Sequence, residues 1–165
     1  MPKAGAIIRT RDVPHVIAMQ AITANSSDVT AESVAITLPA VTFENGRAYR
    51  FELSTLMAVS AIGSAAGNPR ARARVRKTNV AGSLYVDWHA VAVSNVVGAN
   101  YMVQASRILT CSADTVQDIA LTILCDQSSG SSTVRLAGSA TSAAGHFAVY
   151  DIGIAADWPG VNFIS

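Results

Sequence analysis

Charge is scarce in this chain. Asp, Glu, Lys and Arg make up 14% of its 165 residues, and they nearly cancel to a net charge of +1. An ordinary soluble domain carries about 25% charged residues. A near-neutral chain has no global field to draw it to nucleic acid or to an anionic surface. Aromatic residues are also few, at 6%, which argues against the exposed aromatic platform of a glycan-binding module. Cysteine is limited to Cys111 and Cys125. Two cysteines make no disulfide framework; they read as buried free thiols that are not joined to each other, in keeping with synthesis in a reducing cytosol. No run is long and apolar enough to cross a bilayer as a helix, so no membrane partner is expected. The opening residues Met1–Arg9 lack the apolar centre of a secretory signal.

Catalytic and ligand signatures are missing too. His15, His89 and His146 stand at no metal-ligand spacing from one another or from a cysteine. His89 alternates with Asp87, a pairing typical of an exposed polar strand face. The serine of Gly63-Ser64-Ala65-Ala66-Gly67 is misplaced for a nucleophile elbow. There is no phosphate loop or dinucleotide fingerprint, and residues 126–132 lack the carboxylate density of a calcium loop. No catalytic, cofactor-binding or metal-binding residue is assigned, and the expectation is a protein that is not an enzyme and needs no cofactor.

Against these absences stands a hydrophobic content of 50% and a mean hydropathy of +0.33. Either the surface is coated with Ala, Ser and Thr, or much of it is buried against other subunits. The balance favours assembly.

The feature around which the rest is organised is Arg70-Ala71-Arg72-Ala73-Arg74-Val75-Arg76-Lys77. Its period of two is that of a strand, whose successive side chains point to opposite faces. Arg70, Arg72, Arg74 and Arg76 therefore share one face, and Ala71, Ala73 and Val75 the other. Three readings exist for the arginine face: a solvated surface, phosphate binding, and pairing with carboxylates across a protein interface. Neutrality and the lack of interleaved aromatics weigh against phosphate.

Other segments share the period. Val34, Ile36 and Leu38 are expected inward, with Pro39 ending their run and Val41–Phe43 as a short extension. Tyr49, Phe51 and Leu53 alternate with Arg50 and Glu52. Leu84, Val86 and Trp88 are expected on one face and Tyr85 and Asp87 on the other. Residues 101–111 and 116–125 are expected to form a hairpin, with Ile119, Leu121 and Ile123 inward. Asn45-Gly46 and Ala81-Gly82 read as turns. About eight to nine short strands without a convincing helix predict an all-β antiparallel sandwich, jelly-roll-like in arrangement. The domain is expected over residues 15–156, between an N-terminal arm at 1–14 and an apolar tail at 157–165. The tail holds Trp158, Val161, Phe163 and Ile164 without periodicity. With the arginine face, these four residues are the candidate protein-interface positions.

Several motifs, in order, carry a resemblance. Thr37-Leu38-Pro39-Ala40-Val41-Thr42-Phe43 precedes Gly46-Arg47-Ala48-Tyr49-Arg50-Phe51; the arginine strand at Arg72–Lys77 follows; Val134–Thr141 and Val149-Tyr150-Asp151-Ile152-Gly153 close the pattern. Together they span most of residues 33–155. The chain resembles small β-sandwich structural proteins of tailed phages, especially those of actinobacterial hosts, which serve as minor tail or head decoration proteins. The resemblance implies a virion component made in the host cytoplasm, most simply a capsid decoration protein. Its implied partners are major capsid or tail proteins, and it implies a homo-oligomer, with a trimer among the forms allowed. A host-recognition or carbohydrate-binding module of the tail is the alternative.

Overall fold

A computed structural model describes residues 13–63, 69–92, 97, 100–126, 132–138, 145–158 and 163–164. Residues 1–12 of the expected arm, Val161, and the loops around 64–68, 93–99 and 127–131 lie outside the described residues, residue 97 excepted.

Ten strands follow in order: β1 His15–Ala21, β2 Ser33–Phe43, β3 Arg47–Ala61, β4 Arg70–Lys77, β5 Leu84–Ala92, β6 Asn100–Cys111, β7 Thr115–Asp126, β8 Thr133–Ala137, β9 His146–Ile154 and β10 Phe163–Ile164. One sheet has the order β1-β9-β3-β6-β10, and the other β2-β7-β4-β5. β3 is 15 residues long. It pairs with β6 on one edge, and with β9 and then β8 end to end on the other. Except for the β4–β5 hairpin, each successive strand from β1 to β7 crosses to the opposite sheet. Eight of these strands, β1-β9-β3-β6 facing β2-β7-β4-β5, have the interleaved order of a jelly roll, so the expected all-β sandwich is the observed one.

The interior follows from strand periodicity. Tyr49, Phe51, Leu53 and Met57 of β3 face Ile119, Leu121 and Ile123 of β7, and all are at most 1% exposed. Phe43 meets Tyr49 edge to face at 4.8 Å. Phe147 and Trp88 close the core from β9 and β5, with ring centroids 6.5 Å apart.

Four local expectations need correction. β6 and β7 are not a hairpin: β6 pairs with β3 and β7 with β2 and β4. A short polar connection at 112–114 suits a tight turn within one sheet or a crossing between two, and only packing decides. Cys111 and Cys125 are free and buried, and it is their placement in opposite sheets, not hairpin register, that separates them. Burial pushes both thiols up from their ordinary pKa. Pro39 does not end its strand. β2 runs through it with register shifts, as an edge strand allows because Pro need not donate outward. Ala40 adopts φ 49 there, and its N–H donates to Asp118 Oδ1 at 2.9 Å. The first of the two β2 shifts, between Val34 and Ile36, leaves Val34 39% exposed. In β5, the register shift against β4 between Val75 and Arg76 puts both Tyr85 and Val86 inside and leaves Leu84 exposed. A bulge moves consecutive residues out of strict alternation.

Candidate functional site

The arginine strand lies as its period requires. Ala71, Ala73 and Val75 are buried, and the arginines line the outer face of the second sheet. Their partners come from the same chain. Arg72 forks onto Asp87, with Nε donating to Oδ1 at 2.7 Å and Nη2 to Oδ2 at 2.8 Å, and its Nη1 reaches Asp126 at 3.3 Å. Arg74 donates from Nη1 to Glu32 Oε2 at 2.6 Å and from Nε to Asp87 Oδ2 at 3.2 Å. Arg76 donates from Nε to Glu32 Oε1, and from Nη2 to Glu32 Oε2 at 3.1 Å. Its Nη1 donates to the Gly82 carbonyl at 3.0 Å.

Glu32, just before β2, is the hub of this network. Thr122 Oγ1, fully buried opposite Arg74, donates to its Oε1 at 2.6 Å. Burial alone would raise the Glu32 carboxyl. Hydrogen bonds from Arg76, Thr122 and Arg74 outweigh it and lower the pKa to about 2. The hydrogen bonds that Arg72 donates to Asp87, and Arg76 to Glu32, hold both guanidinium groups still more firmly protonated than usual.

The expectation of carboxylate partners thus meets carboxylates within the subunit. Arg72, Arg74 and Arg76 spend their forks on Glu32, Asp87 and Asp126. Arg70 alone of the four is exposed and has no ion-pair partner among the described residues. A strand whose guanidinium groups are already neutralised has little left to release counterions from a nucleic acid.

Two of these acids sit on strands beside the arginines, and one residue-level signal for them existed. Asp87 is the only acid of β5 and falls opposite Arg74. Glu32 had no such signal, because its position depends on how the loop before β2 folds over the sheet.

A second charged centre lies at the end of the other sheet. Arg47 and Asp151 are both buried. Arg47 Nε donates to Asp151 Oδ2 at 2.9 Å and Nη2 to Oδ1 at 2.6 Å, while the Gly153 N–H also donates to Oδ1 at 3.0 Å. The Asp151 hydrogen bonds raise the Arg47 pKa, against burial, which lowers it. Beside it, the Tyr49 hydroxyl accepts the Glu44 N–H at 2.6 Å, and burial pushes its pKa up to about 12. On the outer face, Arg50 stacks over the Tyr150 ring at 4.5 Å and pairs with Glu52 at 3.3 Å. His146 Nε2 lies 3.1 Å from the same Glu52. These groups are tied into pairs. Glu52 and His146 line an open pocket on the outer face with Ser54 and Ser106. Among the described residues the hydrogen bond of His146 goes to Glu52 and to neither serine, so no hydroxyl is placed on a base there. Among the described residues, no group of three or more His, Cys, Asp or Glu is placed to hold a metal ion.

The tail residues divide. Residues 155–157 make a 3-10 turn, and Trp158 after it is 37% exposed. Val161 is outside the described residues. Phe163 and Ile164 form β10, which pairs parallel with Thr110 and Cys111 of β6. Ile164 is fully buried in the core of its own chain, which removes it from the candidate contacts with a neighbour. One apolar side chain gains about 1.5–3 kcal/mol on burial, enough to seat a short strand once the sheet edge supplies backbone partners. Ile164→Ala is expected to lower unfolding free energy by about 2 kcal/mol, measured by urea denaturation. An unchanged midpoint would mean that β10 contributes nothing to the subunit.

No family model matches this chain, and no curated protein matches it. Solved structures do. The chain is similar to a structure of infectious bursal disease virus Gt strain, at TM-score 0.51 and 16% identity, covering 98% of this chain and 38% of that one. It is similar to a mutant VP2 protein of infectious bursal disease virus in derived T=1 particles, at TM-score 0.53 and 16% identity, covering 98% and 37%. A Gx strain structure of that virus gives TM-score 0.51 at 17% identity, covering 98% and 38%. The chain therefore spans well under half the length of these neighbours, and identity this low shows a shared fold. The likeness is to viral structural β-sandwiches; it does not single out tail or decoration proteins of actinobacterial phages.

Proposed function

We propose that this chain is a structural component of a virion, a capsid decoration protein of a tailed phage that binds other virion proteins and does no chemistry. The observation that carries the reading is the jelly-roll strand order, matched over 98% of the chain by viral particle proteins. Scarce charge and an arginine face paired within the subunit support adhesion. Major capsid or tail proteins are the partners of this reading, through Arg70, Trp158 and the N-terminal arm. The rival, a glycan- or receptor-binding module on the tail, is disfavoured because Phe43, Tyr49, Phe51, Tyr85, Trp88 and Phe147 are buried, leaving Trp158 as the exposed aromatic among the described residues. Particles purified on a density gradient and split into heads and tails should carry the protein at fixed stoichiometry in the head fraction. Recovery with tails would favour the rival, and absence from intact particles would end both.

A further inference from the structure

The four lateral edges of the sandwich are not alike. Natural sheets guard their edges with bulges, prolines, charges or shortness. β1 is seven residues long, with a register shift between Val16 and Ala18. β2 has two shifts and Pro39. β5 meets β4 with two shifts and carries Asp87. β6 has none of these protections. It pairs with β3 from Asn100 to Thr110 through an unbroken register, contains no proline, and has Arg107 as its one charged residue. On its other side, among the described residues, β10 covers Thr110 and Cys111. No strand or backbone hydrogen bond among the described residues reaches Asn100–Leu109 on that side.

We propose that this edge pairs antiparallel with the same edge of a second copy about a two-fold axis, joining two sandwiches through a continuous sheet. A second copy fits because the edge is self-complementary. In an antiparallel ladder, residues aiming their N–H and C=O outward must face residues that do the same. Such residues share parity, so the two numbers of each pair sum to an even value and the axis passes through a residue. The β10 strand blocks extension beyond Leu109, which leaves Gln104 as the centre that uses the edge from its first residue. Arg107 then faces Tyr101 of the second copy, a cation–π partner. The two Arg107 groups stand about 20 Å apart along the ladder, so the edge's single charge meets no like charge. On the outer face, Gln104 meets Gln104, and Met102, 72% exposed, meets Ser106. An isologous contact of this kind closes at two subunits. The inference concerns the chain alone and stands or falls apart from any virion role.

Sedimentation equilibrium of the wild-type chain, up to about 1 mM to include a weak dimer, tests it. A monomer–dimer equilibrium is expected. The double variant Met102→Lys/Gln104→Lys places like charges opposite and diagonal to one another across the axis. It should raise the dissociation constant at least about tenfold, with the melting temperature unchanged when both proteins are diluted to the monomer. Val116→Lys, at a 63% exposed position on the other sheet, should leave the dimer intact. A wild-type monomer throughout the range, a dimer indifferent to the double variant, or equal disruption by Val116→Lys would each overturn the proposal.

Discussion

Asp151→Asn is expected to lower unfolding free energy by about 3–5 kcal/mol, the cost of breaking a buried ion pair by removing one charge. The substitution keeps shape and retains an acceptor for the Gly153 N–H, so its effect isolates the charge. Arg47 would be left with its guanidinium buried beside a neutral amide, the 2.9 Å bond from Nε losing its acceptor to an NH2 group and the 2.6 Å bond from Nη2 losing its anionic partner. It cannot escape by deprotonating, because its pKa is far above neutrality. Urea unfolding at neutral pH should show a lowered midpoint with the denaturant slope retained. Replacing both partners, Arg47→Met with Asp151→Leu, should recover most of the loss, since an apolar pair needs no compensation. If Asp151→Asn alone costs less than about 1 kcal/mol, the pair is solvated and does not hold the ends of β3 and β9 together.

Glu32→Gln is the second large effect, expected at about 2–3 kcal/mol near neutral pH. The carboxyl pKa is depressed from 4.5 to about 2. A depressed pKa contributes stability that is fully present above the unfolded value and is lost as pH falls toward the folded one. Wild-type stability should therefore fall between about pH 5 and pH 2 more steeply than that of Glu32→Gln, and the two curves should converge at the acid end. The side chain is 17% exposed, so solvent screens part of the interaction, and the figure is set below the full value of the shift. Denaturant unfolding at pH 7 and pH 3 checks it. Parallel pH profiles for the two proteins would show that Glu32 is not the hub of the arginine face.

These two centres mark where sequence reading stopped. Arg70–Lys77 declared itself by period alone, and β4 has the predicted faces because alternation is a property of backbone geometry that needs no knowledge of neighbours. The same holds for Tyr49, Phe51 and Leu53, and for Ile119, Leu121 and Ile123. Period two, with turns at Asn45-Gly46 and Ala81-Gly82, was enough for the fold class. The sequence did not contain the assignment of strands to sheets. Residues 112–114 read equally well as a hairpin turn or a crossing, and only the joint packing of β6 on β3 and β7 on β2 and β4 chose the crossing.

The partners of the arginines were hidden for the same reason. Glu32 lies 42 residues from Arg74 and 90 from Thr122, and Asp151 lies 104 from Arg47. Composition said that the chain holds about as many acids as bases; it could not say whether each base finds its acid at home or on a neighbour. Ile164 shows the limit most plainly. Its tail has no period to read, since two residues are too few to make one. The local sequence by itself determined which strands form and which face of each is apolar, because both follow from backbone stereochemistry and hydrophobicity. Tertiary structure decided the strand order, the pairing of charges and the burial of Ile164, because each depends on contacts between residues far apart in the chain.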